Sequence, residues 1–469
     1  MVNRGRPSRD CLPCRKRKLR CDLQAGVCGQ CRRAKLRCYG YRNAEDLVFR
    51  DETDATEQKV LARRPLPYPA KPAVAPILQW DVRARQAFFS LYVGGLTHNC
   101  ASLIPLYAQA STVGHLTSSV DALSLALAAF QFDSGELMRL ANERYVTAIQ
   151  RLGRVLCNPH ASASDETLQS VLLLDLYEKI TNRDLRRLSS WMSHIQGAMT
   201  LVGARGNKNY SSPMACQLAS RVAVTLTISC GAATLPVPDG LMVLRRDLDG
   251  LILDAKWYFT AMLVDVVNLR ADVRSDRLAS RAEVAERASE LGRRLATLEE
   301  KLPQSWQPKS VLTVGQDPRV FGRCYDIYPS HFITQVWNAI RTMRLEMNSM
   351  VRNHDCDSDT SASEAITCIS RRICDTIPQF ILPGAWPGNG EPFSPLQKLQ
   401  CGTLLMPLYL AAQLSTDVHM RDWIIHSIDY IAEMGNMKIA RDVSAILRST
   451  PNVDYWIVYA MTGSYAVAA

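Results

Sequence analysis

Six of the chain's fifteen cysteines fall within 28 residues, as Cys11, Cys14, Cys21, Cys28, Cys31 and Cys38, with the spacing C-x2-C-x6-C-x6-C-x2-C-x6-C. The segment is an internal repeat. Cys11-Leu-Pro-Cys-Arg-Lys-Arg-Lys-Leu-Arg-Cys21 and Cys28-Gly-Gln-Cys-Arg-Arg-Ala-Lys-Leu-Arg-Cys38 agree at seven of eleven positions. A secreted chain would turn such cysteines into disulfides, but the N-terminus Met1 to Arg6 lacks the apolar stretch of a secretion signal, so metal is the better reading. Structural zinc takes four thiolates in a tetrahedron, and two separate ions would need eight. Six suffice when two are shared. The repeat makes the first cysteine of each half, Cys11 and Cys28, the natural bridges of a centre holding two zinc ions. A module this small has almost no apolar core, so metal binding must supply its folding free energy. A redox dithiol pair or a chance cluster would explain neither the duplicated spacing nor the basic runs beside it.

Charge is segregated in the same segment. Residues 1–40 hold twelve Lys or Arg against two Asp, whereas the remaining 429 positions hold 43 basic and 43 acidic groups. The whole excess of +10 therefore sits at one tip. A basic tip on a neutral body suits a polyanion, because each neutralised phosphate releases condensed counterions. Each C-x-x-C turn is expected to lead into a short basic helix, over 15–20 and 32–37.

The run Cys-x-x-Cys-Arg-x-Arg-Lys-x-Arg-Cys at 11–21 is specific, and residues 11–38 resemble the binuclear zinc cluster of fungal transcription factors. The resemblance implies that the first basic helix enters the major groove of double-stranded DNA and reads a CGG-type triplet. Carried onto this chain, Lys18 is the base reader with Arg17 beside it, since a cation matches guanine O6 and N7. Arg15, Lys16, Arg20, Lys35 and Arg37 are assigned to phosphates, which position without specifying sequence. Ala34 stands where the first half has Arg17, so the halves differ in reading power. Gly26-Val27 replaces the proline that the family often carries before its fourth cysteine. Upstream, Arg4-Gly5-Arg6-Pro7 resembles the core of a minor-groove arm, with Arg4 and Arg6 as its cations; a nonspecific basic tail is the alternative.

The expected organisation is a basic arm at 1–10, the zinc module at 11–38, a linker at 39–79 and an all-helical regulatory domain at 80–469. Pro65, Pro67, Pro69, Pro72 and Pro76 make the linker an extended spacer. No sustained heptad follows the zinc module at 41–64, where many relatives of the resembled family carry a coiled coil. From Trp80 onward the pattern is helical almost throughout. Leu137, Leu140, Ala141, Tyr145, Ala148, Ile149, Leu152 and Val155 share one face at 3.6-residue spacing. Ser164 reads as a helix cap, with Asp165 and Glu166 as first-turn acids rather than a catalytic pair. Trp191, His194, Gly197-Ala198, Leu201 and Arg205-Gly206, with Asp165 to Leu168, Tyr177-Glu178 and Met406 to Tyr409, resemble the helical regulatory domain of fungal transcription factors over roughly 80–445. His194 has no ligand partner at helical spacing and reads as core, as do the nine cysteines beyond residue 40 and the apolar tail Tyr455 to Tyr459. Val284, Leu291 and Leu298, with Ala288, Leu295 and Leu302, recur every seven residues; 284–302 is either a homodimer face or a helix buried within the domain.

The expected fold class is thus all-α, a two-zinc module with two short helices followed by a large helical domain. With 47% apolar and 21% charged residues and no apolar run of membrane-spanning length, the chain reads as soluble and intracellular. It reads as a nuclear, sequence-specific transcription regulator of the RNA polymerase II type, with transcription machinery or co-regulators as further partners. No GxSxG, HExxH, phosphate-cradling glycine loop or Rossmann fingerprint supports an enzyme. A zinc store or redox sensor would leave Arg17 and Lys18 without a role, and an RNA reader would need an aromatic stacking platform.

Overall fold

The computed structural model describes residues 8–41, 76–96, 102–181, 188–252, 255–278, 280–313, 315–354, 359–449 and 453–462. The chain divides into two units, Met1–Val74 and Ala75–Ala469. Arg4, Arg6, the heptad-free stretch from 42 onward and the prolines at 65–72 lie outside the described residues.

Within the first unit, α1 is Leu12–Lys16 and α2 is Gly29–Arg33. Both are single turns, shorter than expected and displaced toward the first cysteine of each half. Both sulfurs of a C-x-x-C pair have to face one point, so the helical turn lies between and just after them, and the basic run beyond it leaves the helix.

The second unit is almost wholly helical. Its principal helices are α3 (Pro76–Ala87), α4 (His115–Phe132), α5 (Gly135–Leu156), α6 (Asp165–Thr181), α7 (Leu188–Arg205), α8 (Pro213–Ala233), α9 (Ala255–Arg274) and α10 (Arg281–Glu300). Then follow α11 (His331–His354), α12 (Asp359–Cys374), α13 (Leu405–Leu414), α14 (Val418–Met434), α15 (Lys438–Ser449) and α16 (Tyr455–Thr462). Pro76 opens α3 rather than closing the spacer, because a proline at the first helical position loses no hydrogen bond. One departure from the all-helical expectation is an antiparallel hairpin pairing β1 (Lys309–Leu312) with β2 (Cys324–Ile327).

Two apolar cores meet on α6. Leu168, Val171, Leu172 and Leu174 join the larger core, while Leu173, Leu176, Tyr177 and Ile180 join a smaller one with Phe88, Leu123 and Leu140. A helix apolar on all sides is one packed on all sides. Its start is as the sequence reads: Ser164 Oγ accepts from the Thr167 amide at 3.1 Å. Of the first-turn acids, Asp165 pairs with the buried Arg205, and Glu166 lies 3.8 Å from the His115 ring. On α5, Leu137, Leu140, Ala141, Ala148 and Leu152 are buried and Tyr145 and Val155 half-buried, but Ile149 is exposed at the edge of the face.

The heptad helix α10 packs against α11, and Val284, Ala288, Leu291, Leu295 and Leu302 are buried there, with Leu298 partly so. This decides between the two readings of 284–302 in favour of a helix buried within the domain rather than a homodimer face: its apolar seam is consumed inside one chain, since a stripe that can be covered locally needs no second copy. Tyr455, Trp456 and Val458 are core, as expected. Of the later cysteines, Cys230, Cys374 and Cys401 are buried, but Cys157 and Cys368 are exposed and do not serve as core. The His194 side chain lies outside the described side chains.

Candidate metal centre

All six sulfurs converge. Cys11, Cys14, Cys21 and Cys28 form one set of four and Cys11, Cys28, Cys31 and Cys38 a second, each with its sulfurs within 4.8 Å of one another. Cys11 and Cys28 belong to both. The Cys11–Cys28, Cys11–Cys31 and Cys14–Cys28 sulfurs are 3.6 Å apart and Cys21–Cys11 are 3.8 Å apart. A disulfide would need about 2.05 Å. A tetrahedron with metal–sulfur bonds of about 2.3 Å has edges of about 3.8 Å, so the spacing fits two tetrahedra sharing the Cys11–Cys28 edge.

Crowding so many sulfurs has an electrostatic cost. Burial, with the neighbouring thiols, pushes Cys14 up and Cys31 up to about 12. Cys28 is drawn the other way, to about 6, because the hydrogen bond from the Cys31 amide at 3.3 Å and the neighbouring thiols outweigh burial. Thiolates at this spacing repel one another, and a divalent cation of thiophilic character removes that repulsion.

The two halves end alike. After α1 the Lys18 amide donates to Arg15 O at 3.1 Å and the Leu19 amide to Cys14 O at 3.0 Å; after α2 the Lys35 amide donates to Arg32 O at 3.2 Å and the Leu36 amide to Cys31 O at 3.0 Å. This paired bonding is the Schellman terminus, and it forces a left-handed residue, here Lys18 at φ 55° and Lys35 at φ 51°. Glycine usually stands there, which is why the sequence hides the turn. Lys18 and Lys35 are therefore matched in backbone as well as in sequence, each just past its helix. Lys16, Arg17, Lys18, Arg20, Arg32, Arg33, Lys35 and Arg37 are all exposed, and Arg15 is half-buried. Arg37 lies over the Tyr39 ring at 5.5 Å.

Three supporting residues carry no sequence signal. Asp22 accepts the Gly29 amide at 3.0 and 2.9 Å through its two oxygens, capping the start of α2 against the second half of the repeat. A Cβ at 29 would meet the Asp22 carboxylate at 2.4 Å, so a larger residue there would displace the cap. Gln24 accepts from Arg32 at 3.0 Å, and Tyr41 donates to the Gln24 carbonyl, tying the inter-repeat loop to the end of the module.

Residues 9–46 match the fungal Zn(2)-Cys(6) binuclear cluster domain, and residues 101–446 match the fungal specific transcription factor domain. Neither a curated protein nor a solved structure matches the chain. The cluster domain binds two zinc ions, which agrees with the six-cysteine geometry. Among the described residues no helix is long and apolar enough to cross a membrane. A DNA-binding zinc module followed by a long helical domain makes this chain a member of the fungal-specific transcription factor family, a zinc-cluster transcription regulator.

Proposed function

We propose that the chain is a sequence-specific regulator of RNA polymerase II genes that acts in the nucleus and reads a CGG-type triplet in the major groove, with Lys18 as the base reader and Arg17 beside it. The observation that carries this reading is the separation of chemistry in the module: the sulfurs are turned inward while every Lys and Arg from 16 to 37 is exposed. Cys11 and Cys28 bridge the two zincs; Cys14 and Cys21 complete one and Cys31 and Cys38 the other. Arg15, Lys16, Arg20, Lys35 and Arg37 hold phosphates, and Arg4 and Arg6 extend the contact into the minor groove. The functional units are the arm at 1–10, the zinc module at 11–38, the linker from 39 to the start of α3 at Pro76, and the regulatory body beyond it. That body engages co-regulators or transcription machinery and performs no catalysis. Homodimerisation is not assigned to 284–302, whose apolar positions are buried.

Because Lys18 and Lys35 share one backbone conformation, exchanging each for alanine isolates the role of place. In the full zinc-loaded chain, Lys18→Ala is expected to cost about 1 to 3 kcal/mol on the cognate triplet and much less on unrelated duplex. Lys35→Ala is expected to weaken all sequences alike and to flatten the salt slope by about one. Metal content checks folding in both. Equal weakening of cognate and random DNA by Lys18→Ala, with discrimination lost in Lys35→Ala, would reverse the assignment of the halves.

A further inference from the structure

The helical unit contains a cavity of about 140 Å³ walled by α8, α9, α11, α16 and the segment entering α13. Its wall is mainly aliphatic and aromatic, with Ile228, Phe259, Leu263, Phe332 and Val336 among its members. The volume is close to that of apolar cavities that take up a benzene-sized molecule, of about 150 Å³.

The threonine hydroxyls on that wall are satisfied by nearby backbone carbonyls, and the Tyr455 hydroxyl donates to Glu346 at 2.5 Å. Thr260 donates to Trp257 O at 2.7 Å, Thr342 to Asn338 O at 2.7 Å, Thr403 to Gln400 O at 2.6 Å and Thr462 to Tyr459 O at 2.8 Å. Gln335 and Trp456 differ. Both amide atoms of Gln335 and the indole Nε1 of Trp456 are buried with no hydrogen-bond partner among the described residues. Buried polar atoms without partners are rare and costly, and three of them at one apolar cavity form a pattern that a ligand would complete. Trp456 is held where it is: its ring lies so close to Gly231 that a Cβ there would meet it at 2.4 Å.

The polarity of the wall narrows the ligand. Among the described residues no Asp or Glu lines the cavity, and Lys256 stands where it adjoins a second cleft, the two sharing Val224, Lys256 and Thr260. The Lys256 ammonium is 5.4 Å from the centre of the Phe332 ring. The unpaired N–H donors of Gln335 and Trp456 call for an acceptor, and the Gln335 oxygen calls for a donor beside it. We infer that this cavity binds a small molecule with an apolar body of about one ring and an acyl head, carboxamide or carboxylate, which Gln335 and Trp456 hold and Lys256 admits. The cavity lies wholly within the helical unit, so the inference does not rest on the DNA-reading assignment of the cysteine module.

The test uses the full zinc-loaded chain with phenylacetamide, phenylacetate and ethylbenzene, read by saturation-transfer NMR and by the melting temperature. At least one acyl probe is expected to saturate and to bind about tenfold more tightly than ethylbenzene, a difference of about 1.4 kcal/mol. Preference for phenylacetamide assigns the head to the Gln335 amide, and preference for phenylacetate that is lost in Lys256→Gln assigns it to the lysine. Gln335→Leu keeps the volume but removes the amide, so the acyl preference should vanish without a fall in melting temperature; Trp456→Phe serves the same end should that variant fail to fold. Ala339→Phe should abolish binding of all three probes. Failure of every probe to saturate, or equal binding of ethylbenzene and the acyl probes, would overturn the inference.

Discussion

The two units of this protein are held together by opposite means. Among the described residues of the cysteine module the buried cluster is the cysteines themselves, with Tyr41 packed beside them. In the helical unit two cores of aliphatic and aromatic side chains meet on α6. Cohesion in the first is coordinate bonding focused on two ions; in the second it is dispersed over many contacts, none of which dominates. The difference teaches where each unit is vulnerable. One should fail all at once when a single component is withdrawn, and the other only through a deep defect in its packing.

Withdrawal of metal is the largest expected effect. Structural zinc supplies about 10 to 16 kcal/mol in small modules, so a strong chelator should unfold residues 8–41, open Arg15 to Arg37 to trypsin and abolish DNA binding. The melting temperature of the helical unit should not move. DNA binding that survives metal removal would break the comparison outright.

Next comes a defect in the helical unit. Glu299 is buried and pairs with Arg341 at 3.3 Å, with Arg372 at 3.8 Å and with Arg344; Arg341 is fully buried and also donates to Tyr328 Oη at 2.8 Å. Glu299→Ala leaves that guanidinium without its counter-charge and should cost about 3 to 5 kcal/mol. The helical melting transition should fall while zinc stoichiometry stays at two. A loss of zinc in this variant would mean that the two units are not energetically separate.

Protonation sharpens the contrast further. His331 sits edge-on between Phe380 and Trp386, with ring centres 4.5 and 4.7 Å away, and burial lowers its pKa to about 4. The unfolded imidazole titrates near 6.5, so between these values the unfolded chain binds the extra proton and the fold is destabilised. Stability of the helical unit should therefore be full above about pH 6.5 and fall by up to about 3 kcal/mol as pH drops toward 4. Melting curves of His331→Phe should lose most of that slope, and an unchanged slope would place the acid sensitivity elsewhere.

The smallest effect belongs to the module's one carboxylate cap. Asp22→Ala removes both hydrogen bonds to the Gly29 amide, a loss of about 1 kcal/mol for a helix cap. Competition with a chelating dye should read it as roughly fivefold weaker zinc retention. A collapse of zinc binding would show that capping, and not coordination, carries the module.

The module's metal chemistry was legible because ligands and their repeat are local in sequence: C-x-x-C sets two sulfurs on one turn, and counting sulfurs requires sharing. The bounds of its helices were not. Lys18 and Lys35 take a left-handed conformation normally marked by glycine, so nothing in the residue names announces where α1 and α2 stop. In the body, the α5 face and the Ser164 cap were readable from periodicity and capping chemistry, while Ile149 fell at the margin of its face. The hairpin at 309–327 went unread because its two strands are four residues each, too short for alternation to register.

The sequence by itself determined the number of zincs, the pairing of the repeat halves and the concentration of charge at one tip, since each follows from residue identity and near-neighbour spacing. Tertiary structure decided whether the heptads of α10 face a second copy or α11, which later cysteines are buried, that Asp22 reaches Gly29, and that Gln335 and Trp456 bring unpaired polar atoms to one cavity. The physical reason is range. Coordination and charge are properties of side chains close together in the chain, whereas burial and hydrogen-bond satisfaction depend on segments up to hundreds of residues apart, which a one-dimensional pattern does not bring together.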